Sequence, residues 1–482
     1  MSRRVRAPVE NGAVLADPPT DTLPGLVAAN RERLNRPDVI VGGLPLAELR
    51  ALARRELLAN PSTATGGLRD GPLLLAGHQP ELPHPGVWVK HFALHKLARQ
   101  LGGIALNLVV DNDTLKSTSL RFPVRDGRDP AAVRLESVPF DHFGGEEPYE
   151  TRRVHDPELF RSFADRAAPL WKNWGFEPLL PRVWKNIIEH PAETIGEKFA
   201  GVRRKWERDW GCHNLELPVS RLAGTEAFAR FASHVLADLP RFRKAYNAGV
   251  QAYRSAHDIE SRSHPVPDLA PGEAPFWGPP GPDGRRDRLM IPTRVPPGKL
   301  RPRALTLTLF ARVCLGDLFI HGIGGGKYDE VTDAIIRDYF GVEPPAYQVL
   351  SATLRLPLPT FPTKPGDVLA LARRDRDLYW NPQRHVPGPE SERPEVRELF
   401  QRHDVLAAVE PPDSPGRKRR FRELREVGDQ LRTLLMPRMA ESRNWLDRAR
   451  QEASANAVLM RRDFAWVLYP EQVLKPFLQR FL

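Results

Sequence analysis

Residues 73–113 read LLLAGHQPELPHPGVWVKHFALHKLARQLGGIALNLVVDND, and the fold turns on them. An apolar run over 73–76 ends in the turn Gly77-His78-Gln79-Pro80. A loop broken by prolines follows. The triplet His84-Pro85-Gly86 then opens a helix, which Gly102 and Gly103 close. A second apolar run over 104–110 ends in Asp111 and Asp113. Strand, helix and strand in so short a span make one βαβ unit, hence a parallel sheet with a right-handed crossover.

The same grammar returns at 307–341, LTLFARVCLGDLFIHGIGGGKYDEVTDAIIRDYFG. A helix gives way to the strand DLFIHG, and a triple glycine opens another helix that closes at Gly341. Between these landmarks the spacing predicts an amphipathic helix over 44–60 and a β-hairpin over 117–140. Helices fill 157–210, with a break at Pro191. A third strand lies in NLELPVSRL (214–222), a helix pair spans 226–256, and a strand pair turns on glycine within 274–293. YQVLSATLRLPLP (347–359) is a further strand.

Beyond residue 361 the strand signals stop. Leu424, Val427, Leu431, Leu434 and Leu435 form one helical stripe. A second helix carries Trp445, Leu446, Val458 and Leu459. This predicts an antiparallel helical hairpin that pairs two subunits into a homodimer. The apolar tail from 464 is expected to dock back on the body. The expected organisation is a flexible N-terminal arm over 1–23, an α/β core over 24–360, and the helical arm with its tail over 361–482.

Composition narrows the function classes. Lys and Arg total 71 against 60 acids, a net charge of +11, which favours anionic partners. The most basic run, GRKRRFRELRE (416–426), has acids at helical spacing and no interleaved aromatic platform, so it reads as a solvated helix face and argues against nucleic acid. The 49 prolines, about twice the ordinary share, imply long stiff connections. Cys212 and Cys314 form no Cys-x-x-Cys pair, so they read as small buried residues in a reducing compartment. No stretch nears eighteen apolar residues, and the basic N-terminus lacks a following apolar core. The expected location is the cytoplasm, without a membrane partner.

The chemistry is expected at the two glycine turns. Each follows a strand and starts a helix, whose first amides are unpaired and partly positive. Gly86 and Gly324, Gly325 and Gly326 allow close approach of a phosphate or carboxylate, and Lys90 and Lys327 add charge. Neither turn is a Walker A loop or a G-x-G-x-x-G fingerprint. His78 is the best-placed general base, with His321 next. Gln79, His84, Asp329 and Glu330 complete the candidate binding set. Asp111 and Asp113 would orient an amine, bind a ribose hydroxyl, or cap a turn. With His78 and His84 they would instead make a metal shell. His91 and His95 have the i,i+4 spacing of zinc ligands without the intervening glutamate; no metal is favoured.

At these residues the chain resembles the bacillithiol biosynthesis cysteine-adding enzyme family. The likeness is carried by GHQPELPHPGVWVKHFALHKLA, by VVDNDTLKS, by the stretch from PPGKLRPRAL to RDYFGV, and by the tail YPEQVLKPFLQRFL. It implies a Rossmann-like core with features of the nucleotidyltransferases and a coiled-coil arm that dimerises. The activity it implies is the joining of cysteine to the amino sugar of glucosaminyl malate. Gln79, Gly86, Lys90, Asp111, Asp113, Gly324 and Gly326 are the matching positions. His78 stands where the family has glutamine, Asn112 where it has histidine, and Gly325-Gly326-Lys327 where proline, glycine and glutamate are usual.

The expected function is therefore a ligase-like enzyme that joins an amino acid to a small anionic amine substrate, with ATP or ADP as a compatible nucleotide. The alternatives are a metal-dependent hydrolase built on His78, His84 and Asp111, and a non-catalytic nucleotide- or sugar-binding protein.

Overall fold

A computed structural model describes residues 5–59, 71–125, 127, 129, 131–281, 284–293 and 295–482. The chain divides into two compact units. One comprises Met1–Phe122, Ser137–Pro357 and Arg462–Leu482; the other comprises Pro123–Glu136 and Leu358–Arg461.

The first unit is built on six strands: β1 (Val14–Asp17), β2 (Leu73–His78), β3 (Ile104–Val109), β4 (Leu215–Pro218), β5 (Leu318–His321) and β6 (Gln348–Ala352). Their order is β1-β6-β5-β2-β3-β4. All are parallel except β1, which runs antiparallel to β6 at the edge. Every residue of β3 is buried, as are residues 73–76 of β2. Parallel strands covered on both faces need such unbroken apolar runs. From β2 the chain steps outward to β3 and β4, then returns to β5 on the opposite side of β2. The strand order thus reverses between β2 and β5, and the carboxyl ends of these two strands flank the crevice that such a reversal leaves.

The helix that follows β2, α1 (Pro85–Gln100), is buried nearly all round, with Trp88, Val89, Phe92 and Leu94 inside. Trp88 packs against Phe92, Trp210 and Trp466, so the C-terminal segment closes over α1. That segment belongs to the first unit: Trp466 N–H donates to Pro83 O, and Tyr469 hydroxyl donates to Leu354 O.

A buried polar network ties α1 to the far side of the sheet. Arg203, on the helix α2 (Ile195–Asp209), donates to Glu207 at 2.7 Å and to Glu216 of β4 at 2.6 Å. Glu207 also meets His91 of α1 at 2.6 Å, and Asn107 of β3 donates to Glu216 at 2.8 Å. Two carboxylates, one guanidinium and one imidazole thus satisfy one another out of water.

The expected arm over 1–23 is corrected. Residues 14–17 are strand β1, in register with β6 from Val14 opposite Ala352 to Asp17 opposite Val349. Leu23 begins a regular helix, Leu23–Leu34. A four-residue strand whose hydrogen bonds come from the distant β6 carries no local periodicity, so the sequence pattern misses it. Residues 1–4 lie outside the described residues, as does residue 60 of the helix expected over 44–60, seen as Leu46–Ala59.

In the second unit, Ser414–Leu459 is one helix of 46 residues that runs through Pro437. The expected hairpin between Leu435 and Trp445 is therefore corrected to a continuous helix. Its buried positions keep one phase throughout, from Val427, Leu431 and Leu435 to Ser442, Leu446 and Ala449. Two shorter helices lie antiparallel to it. The first, Pro365–Trp380, begins near Glu452 and Asn456, where Thr363 and Phe361 bond, and ends where Arg432 donates to Tyr379 O. The second, Pro394–Ala408, packs Val396 on Val427 and Leu431, and Arg420 donates to Leu406 O.

Replacing Arg203 with Met leaves Glu207 and Glu216 buried without their cation. The expected loss is about 3–5 kcal/mol of stability, read from urea unfolding followed by tryptophan fluorescence. A loss below about 1 kcal/mol would mean that the network is solvated.

Candidate functional site

The carboxyl ends of β2 and β5 open on a cavity of about 560 Å3. His78 and Gln79 enter it from the turn after β2, Asn112 and Asp113 from the turn after β3, and His321 from the last position of β5. Gly322, Gly324 and Gly325 line it at the start of the helix α3 (Ile323–Ile335). The two turns singled out in the sequence therefore face one space.

Lys90 supplies the charge. Its stem runs along the buried face of α1, and only 2% of the residue is exposed. Nζ donates to Gly77 O at 3.0 Å. A Cβ on Gly322 would lie 3.9 Å from Nζ, so the ammonium sits between the ends of β2 and β5. Among the described residues it makes no ion pair with a carboxylate. Burial alone pulls its pKa down to about 8.

The two helix starts differ. In α1 the cap is filled: His84 Nδ1 accepts from Gly86 N–H at 3.1 Å. A Cβ on Gly86 would come 2.0 Å from Ala352 O, so this glycine lets α1 pack on β6. The expected anion contact at Gly86 is corrected to a packing role. Gly326 is a packing glycine too, since a Cβ there would meet Val349 at 2.3 Å. In α3 the cap residue is Gly322, which has no side chain to offer. The first amides of α3, from Ile323 to Gly325, thus lie beside Lys90 without a side-chain cap.

His78 bonds through Nδ1 to Gln79 O at 3.0 Å. A carbonyl only accepts, so Nδ1 carries the proton and Nε2 is left as the acceptor. Nε2 lies 3.6 Å from Glu81, which is half-exposed. Burial, reinforced by Lys90, drives the pKa of His78 well below the usual histidine range, so the ring is neutral at pH 7. His84 is pushed down to about 4, first by burial and then by Arg462. Gln79 Nε2 donates to Asp113 at 2.8 Å, and Asp113 also accepts from Thr114 N–H, which fixes both side chains in the cavity lining.

Other expected site residues are placed elsewhere. Lys327 is exposed on the outer face of α3 and does not line the cavity. Asp329 is buried in an ion pair with Arg312 at 2.9 Å and lies 2.8 Å from His321 Nε2. Burial opposes its charge, but Arg312 and His321 hold its carboxyl below the ordinary value. His321 is stacked on Phe319 at 4.2 Å, and burial lowers its pKa against the pull of Asp329, so its ring is a wall with one face committed. Glu330 pairs with His257 at 3.1 Å. Asp111 accepts from the Ser220 amide and hydroxyl and lines a different cavity.

His78, His84 and Asp111 form no metal cluster. Among the described residues, three such ligand atoms come within 4.8 Å of one another at His91, Glu207 and Glu216, where Arg203 already bonds both acids. His95 Nδ1 accepts from His213 N–H at 3.3 Å, so the zinc-like spacing of His91 and His95 serves packing.

Sequence reasoning missed Arg303, Arg462 and Tyr328, which also line the cavity. Arg303 is held by Glu273 at 2.7 Å and lies over the Trp277 ring. Arg462 reaches in from the C-terminal segment and donates to Ala352 O at 2.9 Å. The apolar character of that segment was the one available signal, because it marks a docked tail. No family model matches the chain, and no curated protein matches it.

The glycines separate by measurement. Gly86→Ala should cost about 1–3 kcal/mol of stability by overpacking, in thermal or chemical unfolding. Gly324→Ala, whose Cβ would meet only the Tyr328 hydroxyl at 3.4 Å, should leave stability unchanged or raise it by up to about 1 kcal/mol. Equal effects would contradict the division.

Proposed function

We propose that the first unit is an enzyme that joins an amino acid to a small anionic amine substrate in the cavity between β2 and β5. The observation that carries this reading is Lys90: a buried ammonium with no carboxylate beside it among the described residues, adjacent to helix amides that lack a side-chain cap. Both features call for an anion, and the cavity is the space in which one fits.

An amide bond forms when the amine nitrogen attacks the carboxyl carbon of the amino acid and an oxygen leaving group departs with the electron pair. His78 Nε2, unprotonated at neutral pH, takes the proton from the attacking nitrogen. Lys90 and the amides at Gly324 and Gly325 take up the departing anion. Asp113, held by Gln79, orients the amine. A nucleoside triphosphate is the class of co-substrate that would supply the leaving group. Of the seven positions that match the cysteine-adding enzymes, Gln79, Lys90, Asp113 and Gly324 line the cavity, while Gly86, Asp111 and Gly326 do not. The strand order, with its reversal between β2 and β5, supports a Rossmann-like core. Pairing of two copies through the long helix of the second unit is part of the same reading.

Sulfate, whose charge is constant above pH 3, is the simplest probe of the anion site. Lys90→Met should weaken its binding at least tenfold in calorimetric titration. Affinity should also fall as pH rises through about 8, where Lys90 loses its proton, approaching about tenfold per pH unit. Without ligand, the folded chain holds fewer protons on Lys90 than the unfolded chain does between about pH 8 and the ordinary lysine value. Stability from this group therefore rises across that window. Sulfate affinity that is flat to pH 10 and indifferent to Lys90 would remove the site.

The chemistry is tested by incubating the protein with cysteine, glucosaminyl malate and ATP and following the condensation product by mass spectrometry. His78→Ala should lower turnover by about 100-fold or more with little change in KM. An unchanged rate would reject the role of His78, and binding without turnover would favour a binding protein.

A further inference from the structure

A second cavity, of about 490 Å3, opens beyond the carboxyl ends of β3 and β4. The turn over 111–113 separates it from the first: Asn112 and Asp113 line the Lys90 cavity, and Asp111 lines this one. Val109, Ala200 and Pro218 give it an apolar wall.

Its four carboxylates are all partnered. Asp111 is held by the Ser220 amide at 2.9 Å and by the Ser220 hydroxyl. Glu150 accepts from Arg301 at 3.0 Å and pairs with Arg286. Glu216 is held by Arg203 and Asn107, and Glu197 by the Thr194 hydroxyl at 3.1 Å. The cavity therefore makes no demand for a cation.

Two lining cations are the exception, the exposed Arg221 and the half-buried Arg204. Arg204 follows Arg203 on α2, and one residue of helix turns the side chain by about 100°. Arg203 reaches the buried acids, while Arg204 lines the cavity. Among the described residues Arg204 makes no hydrogen bond and no ion pair, and its Nε is buried without an acceptor. A guanidinium in that position is a planar fork of donors that matches a carboxylate. Phosphate would call for more donors than one fork provides, and the helix that starts beside Ser220, Val219–Leu222, is only four residues long.

We propose that this cavity is a second ligand site, for a small organic acid whose carboxylate is bound by Arg204 and whose body lies against Val109, Ala200 and Pro218. The site goes beyond the reading of the Lys90 cavity and does not depend on it.

Succinate is the probe, titrated calorimetrically into full-length protein carrying Lys90→Met, which silences the first anion site. Saturable one-to-one binding is expected. Adding Arg204→Met should weaken it at least tenfold, and the neutral dimethyl ester should not bind. Because Arg204 makes no hydrogen bond or ion pair among the described residues, its replacement should leave the melting temperature unchanged. Crystals of the unaltered protein soaked in succinate give an independent reading, with the carboxylate expected on Arg204. Absence of saturable binding in the Lys90→Met protein, equal affinity with and without Arg204, or succinate found only beside Lys90 would each overturn the proposal. The sulfate titration reads the first cavity separately, so the two failures are distinguishable.

Discussion

The Lys90 ammonium, held by a single carbonyl at the end of β2, is the constraint around which the candidate site is arranged. A buried charge without a counter-charge is costly, and proteins normally neutralise or pair it. Elsewhere this chain does pair its buried cations: Arg203 has two glutamates, Arg312 has two aspartates and Arg152 has Asp141 and Glu147. Lys90 alone among these lacks an acid, and it alone faces the space at the reversal of strand order. The neighbouring groups follow from it. His78 is kept neutral partly by that charge, and the amides of α3 add positive potential where a carboxylate would have cancelled it.

The sheet makes the arrangement possible. Parallel strands deliver their following turns to one edge, and reversal of strand order separates the outgoing connections at that edge. α1 leaves β2 with a capped start and packs hard on β6 through Gly86. α3 leaves β5 with an uncapped start. One helix is thus fixed as scaffold and supplies a side chain, while the other supplies backbone.

Much of this was legible in the sequence, for a physical reason. β2, α1 and β3 are consecutive and pair with one another, so their periodicity and caps are local. The same holds for β5 and α3. His78, Gly324 and Gly325 could be placed at the cavity because a turn after a parallel strand reaches the sheet edge. Where contacts are distant, the reading failed. β1 owes its structure to β6, and Arg303 and Arg462 are brought to the cavity by segments far from His78. Gly86 and Gly324 look alike in sequence, yet what a Cβ would strike separates a packing glycine from an open one. Lys327 and Lys90 were equal candidates until helix phase turned one outward and the other in. Asp111 and Asp113 point to opposite sides of one turn, and the sequence could not divide them. In the second unit the stripe at Leu424–Leu435 and the apolar positions from Trp445 were read as two helices, but the apolar phase runs through Pro437 unbroken.

The most direct test is the ionisation of Lys90 itself, followed by NMR of protein labelled at the lysine side chain, with and without sulfate. The account predicts that Lys90 titrates near 8 in the free protein and moves up towards the ordinary lysine value of about 10.4 when sulfate is bound. A free value already at the ordinary level and unmoved by sulfate would contradict it.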